Sequence, residues 1–439
     1  VKFDQWCKLS AKAGATVVTI GDSWSSHEIL PGVFQVKEME EQINIAQKYG
    51  LKVIFAYSGD NTSMRISENP FWLDADILRD QNGETSRRST IRFSYWADSY
   101  RSGKQNFYRV MSKYFLNNPD VAGYRIHSHL IPSLGYKKNR MDYSLSSREH
   151  YAKYLKDNNL PAMKMVKPLN VTGKPFSKVG PDLSPEWYNF MKFSSYTIDT
   201  SIEDQFNAIR SNDDKRPVIV DQKPFAYAIE AAIPTLKNGG ALKNEDSPNL
   251  KMAALRSMCC QANVPYVEEL HNHMPTSMGI TDATDFWGSY HSKTIFWLFR
   301  GHLRLLVDKA PKITKGSWSQ LTENRMLDYL AETRPAWSEW ISATEPEPEI
   351  LVFGSRAQGF LGDRRMGGEM DMAGVDTFLA LFSSHQLNIH MANEYTYWVD
   401  LNKFKVVFAC GEIMPVSAID RLVKYAENGG KLVLVGDAG

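Results

Sequence analysis

The chain has 439 residues, of which 43% are hydrophobic and 23% charged, so it is long enough for two domains. Its 51 Lys and Arg residues nearly balance 50 Asp and Glu residues, and no bulk charge favours nucleic acid or an anionic membrane as a partner. The four cysteines lack disulfide-framework or zinc-site spacing, and no apolar run is long enough to span a bilayer; neither a metal nor a cofactor is predicted.

Short β-branched runs alternate with amphipathic stretches over the first three hundred residues, which predicts parallel strands connected by helices. Strands are predicted at 16–20, 51–57, 121–126, 217–220, 240–242, 264–267 and 303–307. Consecutive β/α units of this kind favour a (β/α)8 TIM barrel over an open sheet. The segment Phe3 to Ala13 is predicted to be a helix, so the first barrel strand is expected to be missing from this chain unless another segment closes the gap.

The proline-spaced acidic run Glu345 to Glu349 predicts a domain joint, with a barrel at 1–345 and a second domain at 346–439. Strands predicted at 350–353, 406–409 and 431–435, with a helix at 419–428, indicate a partial flavodoxin-like, doubly wound α/β domain. The run Gly354 to Gly359 lacks the GxGxxG spacing of a dinucleotide site.

Polar side chains follow the predicted barrel strands, at the edge where such barrels carry functional residues. They are Trp24 and Glu28 after the first strand, His127 and His129 after the third, Asp221 after the fourth, Glu245 after the fifth, and Glu268, Glu269 and His271 after the sixth. Their convergence predicts a site for a polar substrate. Trp24 has two interpretations, a ring that stacks on a sugar or a core tryptophan.

Arg92 and Trp96 lie in the long segment before the third predicted strand, where Ser86-Arg87-Arg88 adds positive charge. Such arginines could bind an anionic sugar, for example a sulfated galactan, through paired hydrogen bonds. The alternative interpretation of this segment is a solvated loop.

Several motifs resemble those of glycoside hydrolase family 42 β-galactosidases and their relatives, in the same order and spacing. They are Trp24…Glu28…Pro31-Gly32-Val33-Phe34, Ala46 to Ile54, Pro70 to Leu73, Asp80 to Gly83, and Asn118 to Tyr124. The domain after residue 346 resembles that family's trimerisation domain, including the closing Gly429 to Val433. The resemblance implies a carbohydrate substrate and a homo-oligomer, with a trimer favoured.

The resemblance also implies retaining hydrolysis by two carboxylates, one at the end of barrel strand 4 and one at the end of strand 7. The sixth predicted strand corresponds to strand 7, so Glu268 or Glu269 matches the nucleophile. Side chains alternate along a strand, so only one of the two can point into the barrel mouth, and we favour Glu269, nearer the strand end.

The family ends strand 4 with Asn-Glu, where this chain has Ser128-His129. One alternative is that His127 or His129 supplies the proton, since an imidazole with a pKa of about 6.5 can do so near neutral pH. A second is that the acid has been lost and the protein is weakly active or only binds sugar, and a third is that Glu245 or Asp221 has taken over the role of the acid. We predict a hydrolase of β-linked galactosides, located in the periplasm or outside the cell.

Overall fold

The computed structural model describes residues 3–12, 15–57, 70, 72–80, 82–83, 93–127, 142–166, 184–222, 230–244, 257–259, 261–264, 266–269, 305–306, 349–362 and 389–435. The helices used below are α1 (Phe3–Lys12), α2 (Trp24–His27), α3 (Lys37–Gln47), α4 (Asp98–Tyr114), α5 (Leu145–Asp157), α6 (Pro185–Arg210), α7 (Arg356–Gly362) and α8 (Val416–Glu427). None of the described helices is long and apolar enough to cross a lipid bilayer.

The strands are β1 (Val17–Asp22), β2 (Glu28–Leu30), β3 (Val33–Phe34), β4 (Lys52–Tyr57), β5 (Val121–His127), β6 (Val218–Gln222), β7 (Gly240–Asn244), β8 (Tyr266–Glu269), β9 (Leu305–Leu306), β10 (Ile350–Phe353), β11 (Ile389–Ala392), β12 (Val406–Cys410) and β13 (Lys431–Val435). β2 and β3 form a short antiparallel hairpin that the sequence did not predict.

Seven parallel strands form the first sheet, in the order β1-β4-β5-β6-β7-β8-β9. All seven predicted barrel strands are confirmed, because each is a short apolar run that neighbouring strands and helices can bury on both faces. The predicted opening helix is α1. The sheet is the wall of a partial TIM barrel, as predicted, and no strand that joins β9 to β1 lies within the described part of the chain.

The two faces of this sheet pack differently. Phe55 and Val220, on one face, belong to the main core together with residues of α4 and α6. Ile54, Ile219 and Ala241, on the other face, form a small separate cluster. Because alternate residues of a strand lie on opposite faces, the first face is covered by helices and the second is the inner face of the barrel wall.

A buried ion pair lies at the amino-terminal edge of the sheet, between the end of α6 and the start of β6. Asp213 is 1% exposed and accepts hydrogen bonds from Arg216 Nη1 at 2.7 Å and Tyr124 OH at 3.0 Å. Its second oxygen accepts the backbone N–H groups of Lys215 and Arg216. Arg216 Nε donates to the carbonyl oxygen of Val121 at 2.8 Å, so one network joins α6, β5 and β6.

The second sheet has four parallel strands in the order β11-β10-β12-β13. The predicted strands β10, β12 and β13 and the predicted helix α8 are confirmed. β11 is an addition that the sequence did not predict, since Ile389-His390-Met391-Ala392 is short and interrupted by a histidine. The predicted boundary at residues 345–346 lies outside the described residues and stays a prediction.

The second sheet packs on the barrel through α6 and residues 257–259 and 261–262. Trp187 of α6 is fully buried and donates from Nε1 to the carbonyl oxygen of Phe360 at 2.7 Å. The main chain of Met391 in β11 donates to Ser257 Oγ at 2.7 Å and accepts from Gln261 Nε2 at 2.9 Å.

Carboxylates are enclosed at this junction. Glu230 is fully buried, and its Oε1 atom accepts hydrogen bonds from Arg356 Nε at 2.9 Å, from Arg356 Nη2 and from Asn393 Nδ2 at 3.2 Å. Glu230 Oε2 and Asp199 Oδ1 are buried without a hydrogen-bond partner among the described residues. Burial, followed by the nearby charges of Glu230 and Glu203, raises the pKa of Asp199 well above its usual value.

Candidate active site

The carboxyl-terminal ends of β5, β6 and β7 place three polar positions in one row. His127 pairs with Asp221, and Asp221 pairs with Lys243. Asp221 and Lys243 each lie two residues after Ile219 and Ala241, which belong to the inner-face cluster. Alternation along the strands therefore puts positions 127, 221 and 243 on the inner face at this edge.

The same register fixes the faces of the two glutamates that end β8. Val267 pairs with Lys243, and Asn244 pairs with Glu268. Position 267 therefore shares the inner face, and Glu269, two residues later, shares it too. Position 268 falls on the helix-covered face. The preference for Glu269 over Glu268 stays a prediction, and this register is the backbone observation that supports it.

Arg125 is a charged inner-face residue that sequence reasoning missed. It lies two residues before His127 on β5, pairs with Ala56 and Ile219 on the adjacent strands, and is 2% exposed. Its signal in the sequence was an arginine within the otherwise apolar run 121–126. A buried guanidinium is tolerated only where it is partnered, so a charge in such a strand is informative.

Trp24 and Glu28 form a buried pair. Trp24 is 2% exposed, and its Nε1 donates to Glu28 Oε2 at 2.6 Å. Glu28 Oε1 accepts the backbone N–H of Gly32 at 2.9 Å. The ring meets Trp72 edge-on and lies so close to Gly103 that a Cβ there would sit 2.9 Å away. This burial favours the core-tryptophan alternative for Trp24, whose ring the Glu28 carboxylate holds, and substrate contact by either residue stays a prediction.

Trp96 is also a packed residue. It is 3% exposed, donates from Nε1 to Thr197 Oγ1 at 3.1 Å, and stacks on His150 with ring centroids 4.4 Å apart. Its neighbours belong to α5 and α6 on the outer wall. The ring of Phe193 stacks on it, with ring centroids 5.8 Å apart. This enclosure does not favour the predicted substrate contact of Trp96, which stays a prediction.

The other predicted site residues, Arg92, His129, Glu245 and His271, lie outside the described residues. In the part of the chain that the structure describes, no group of three or more His, Cys, Asp or Glu side chains could hold a metal ion.

Residues 2–170 match the family model Glyco_hydro_42, described as Beta-galactosidase. Solved structures of β-galactosidases are similar over the whole chain. The enzyme from Halorubrum lacusprofundi has a TM-score of 0.73 at 14% identity, over 99% of this chain and 71% of that one. The enzyme from Rahnella sp. R3 has a TM-score of 0.67 at 13% identity, over 100% and 68%. Gan42B, a GH42 β-galactosidase, has a TM-score of 0.67 at 14% identity, over 99% and 70%.

Residues 2–170 are therefore similar to glycoside hydrolase family 42, and the chain as a whole has the fold of these β-galactosidase structures. No curated protein matches it at the sequence level. The family match includes β1, β4 and β5 and ends before β6, so it contains His127 but neither glutamate of β8. The structural likeness extends the family 42-like fold across β8 and the second sheet.

Proposed function

We propose that this family 42-like chain hydrolyses β-galactosides with retention of configuration and that Glu269 is its nucleophile. The observation that carries the proposal is the position of Glu269, at the carboxyl end of β8 on the inner face of the barrel wall. Functional groups of TIM barrels come from this end of the strands. The glutamate one residue earlier lies at a position on the opposite face.

In the proposed reaction the Glu269 carboxylate attacks the anomeric carbon, and the glycosidic bond breaks as the leaving oxygen receives a proton. A histidine at the end of β5, His127 or His129, donates that proton. The same imidazole then takes a proton from a water molecule, which attacks the glycosyl-enzyme and releases Glu269. The cycle needs no metal ion or redox cofactor, because only protons and one glycosyl group move.

The histidine donor supports a specific expectation about pH. An imidazole must be protonated to act as the acid, so turnover falls as pH rises through its pKa. Glycosides with a strongly acidic leaving group, such as 2,4-dinitrophenyl galactoside, depend little on that proton. Their turnover is therefore expected to persist at alkaline pH, where methyl galactoside is no longer cleaved.

The decisive experiment compares Glu269→Gln with Glu268→Gln on 2,4-dinitrophenyl β-galactoside. The two variants remove the same charge from adjacent positions. We expect Glu269→Gln to lower kcat by roughly three orders of magnitude or more, the scale of losing a covalent nucleophile. Glu268→Gln is expected to retain most of the wild-type kcat. NMR of the first-formed anomer is expected to show retention. Inversion, or equal loss in both variants, would contradict the assignment.

A second candidate function is a carbohydrate-binding protein on the same barrel without catalysis. It is favoured by the residues of β5, where Val121–His127 contains no carboxylate and Ser128-His129 follows in the sequence. Calorimetric binding of a galacto-oligosaccharide, with no turnover of the dinitrophenyl substrate, would establish this alternative.

We also propose a sulfated galactan as the polymer substrate, a trimer as the assembly, and a periplasmic or extracellular location. Arg92 and Ser86-Arg87-Arg88 support the anionic sugar, because guanidinium groups pair well with sulfate oxygens. Light scattering at the exit of a sizing column tests the trimer. Release of oligosaccharides from sulfated and desulfated galactan tests the substrate.

A further inference from the structure

The junction between the barrel and the second sheet encloses charged groups from both sides. Arg356, at the start of α7, reaches across to Glu230 and donates to its Oε1 atom from Nε at 2.9 Å and from Nη2. Glu394, which follows β11, accepts the backbone N–H groups of Arg356 at 2.9 Å and Ala357 at 2.6 Å. Each of the two carboxylates is therefore held by donors of α7.

α6 adds a lysine to the same junction. Lys192 is half-buried; burial lowers the pKa of its ammonium group, and the negative charge of Glu394 opposes that effect. The tyrosines that also face Glu394, Tyr188 and Tyr395, contribute no charge near neutral pH, because burial raises the pKa of both. The ammonium group of Lys192 is thus the second cation of the junction, after the guanidinium of Arg356.

Asp199, two turns after Lys192 on α6, is the remaining carboxyl group. Its Oδ1 atom and Glu230 Oε2 are both buried without a hydrogen-bond partner among the described residues. Burial raises the pKa of Asp199, the charges of Glu230 and Glu203 add to that rise, and the backbone N–H of Ala232 opposes it. Ionisation of Asp199 therefore adds a buried negative charge close to an existing one, and such a charge is costly unless it is paired.

The charges of the junction cancel while Asp199 is neutral, because two cations, Arg356 and Lys192, then face two carboxylates, Glu230 and Glu394. We propose that Asp199 is a proton-controlled latch: its neutral carboxyl group keeps the second sheet docked on α6, and its ionisation loosens that contact. Loss of the proton leaves one extra negative charge in the junction. Movement of the second sheet away from α6 lets water reach that charge and lowers its cost.

The indole N–H of Trp187 is a direct probe of this docking. Trp187 lies on α6, is fully buried, and donates to the carbonyl oxygen of Phe360 in α7 at 2.7 Å, so it exchanges with solvent when the second sheet moves off the helix. Its NMR signal, assigned with Trp187→Phe, gives a protection factor, which is the exchange rate of a free indole at the same pH divided by the observed rate. In the wild-type protein we expect this factor to fall by about ten-fold or more between pH 5 and pH 8.

Three variants locate the group that causes the fall. Asp199→Asn replaces the titrating group with a neutral amide of the same shape, and its protection factor is expected to stay constant over this pH range. Glu203→Gln removes an exposed like charge that acts on Asp199, so the fall is expected to begin at a lower pH. Asp420→Asn, at an exposed position of α8, is the matched control and is expected to reproduce the wild-type profile. If Asp199→Asn does not fold, the shift in Glu203→Gln tests the same titration.

A wild-type protection factor that is constant between pH 5 and pH 8 would overturn the latch, and so would an equal fall in Asp199→Asn. An unshifted profile in Glu203→Gln would likewise assign the fall to another group. These results are independent of galactoside hydrolysis, because neither Asp199 nor Trp187 belongs to the candidate active site.

Discussion

Two buried aspartates, Asp199 in the middle of α6 and Asp213 just after that helix, show what enclosure does to a carboxylate. Asp213 follows the end of α6 and receives hydrogen bonds on both oxygens, from Arg216, Tyr124 and backbone N–H groups. Asp199 lies within α6 at the junction with the second sheet, and its Oδ1 has no partner among the described residues. The difference lies in the partners, since both groups are removed from solvent.

The pKa values of the two groups move in opposite directions. Burial alone would raise the pKa of Asp213, but the hydrogen bonds from Arg216, Tyr124 and Lys215 outweigh it and lower that pKa below its usual value. Burial dominates at Asp199 and raises its pKa well above the usual value. The fold thus favours the ionised form of the aspartate just beyond the end of α6 and the protonated form of the aspartate in the middle of that helix.

These directions predict opposite effects of pH on stability. Asp213 contributes stability that is present above the pKa of an unfolded aspartate, about 4, and is lost as pH falls through its lowered folded pKa. Asp199 contributes stability that is present below about pH 4 and is lost as pH rises through its raised folded pKa.

The largest expected effect on stability comes from removing the Asp213 carboxylate from its hydrogen-bond network. Asp213→Ala leaves the Arg216 guanidinium without its carboxylate and is expected to cost about 3–5 kcal/mol of unfolding free energy at pH 7. Urea denaturation measures the loss. Asp214→Ala, at the exposed neighbouring position, is the control and is expected to change stability little. Equal effects of the two variants would show that the network contributes nothing specific.

Asp199→Asn is expected to stabilise the protein, by about 1–3 kcal/mol at pH 7, because a neutral amide replaces a group that must otherwise ionise or stay protonated in a buried site. Urea midpoints between pH 5 and pH 8 are expected to fall less steeply with pH than in the wild type. Asp420→Asn, on the exposed side of α8, is the matched control. Parallel pH profiles for wild type and Asp199→Asn would refute the raised pKa.

A third buried carboxylate, Glu28, accepts one hydrogen bond from a side chain and one from a backbone N–H group. Trp24→Phe removes the side-chain donor and is expected to cost about 1–2 kcal/mol. Because Trp24 is enclosed, KM for a galactoside is expected to stay the same. A large rise in KM at unchanged stability would restore the sugar-stacking interpretation.

The smallest expected effect is at the beginning of α6, the helix that carries Asp199 and leads to Asp213. Ser184 Oγ accepts the backbone N–H of Trp187 at 3.2 Å as the N-cap. Ser184→Ala is expected to cost about 1 kcal/mol and Ser184→Asp to restore it. The dependence of stability on pH is expected to have the same shape in both variants as in the wild type, since neither Asp199 nor Asp213 is changed.

Strands were predictable because their apolar runs carry a local signal, as in Val218-Ile219-Val220. The face on which each strand residue lies was not predictable, because only the register of β5 to β8 shows that positions 268 and 269 lie on opposite faces of the sheet. Asp213 and Arg216 were missed since a short polar loop gives no sign that it will be buried. Trp24 illustrates the converse: its spacing from Glu28 resembles a family motif, but the motif builds a core contact rather than a sugar contact.

Edge strands of a sheet expose unpaired backbone groups, yet the main-chain N–H and C=O of Met391 are already engaged by Ser257 and Gln261. The barrel thereby shields the β11 margin of the small sheet from strand addition at that residue. Any intermolecular β-pairing that extends this sheet would have to begin elsewhere along its borders.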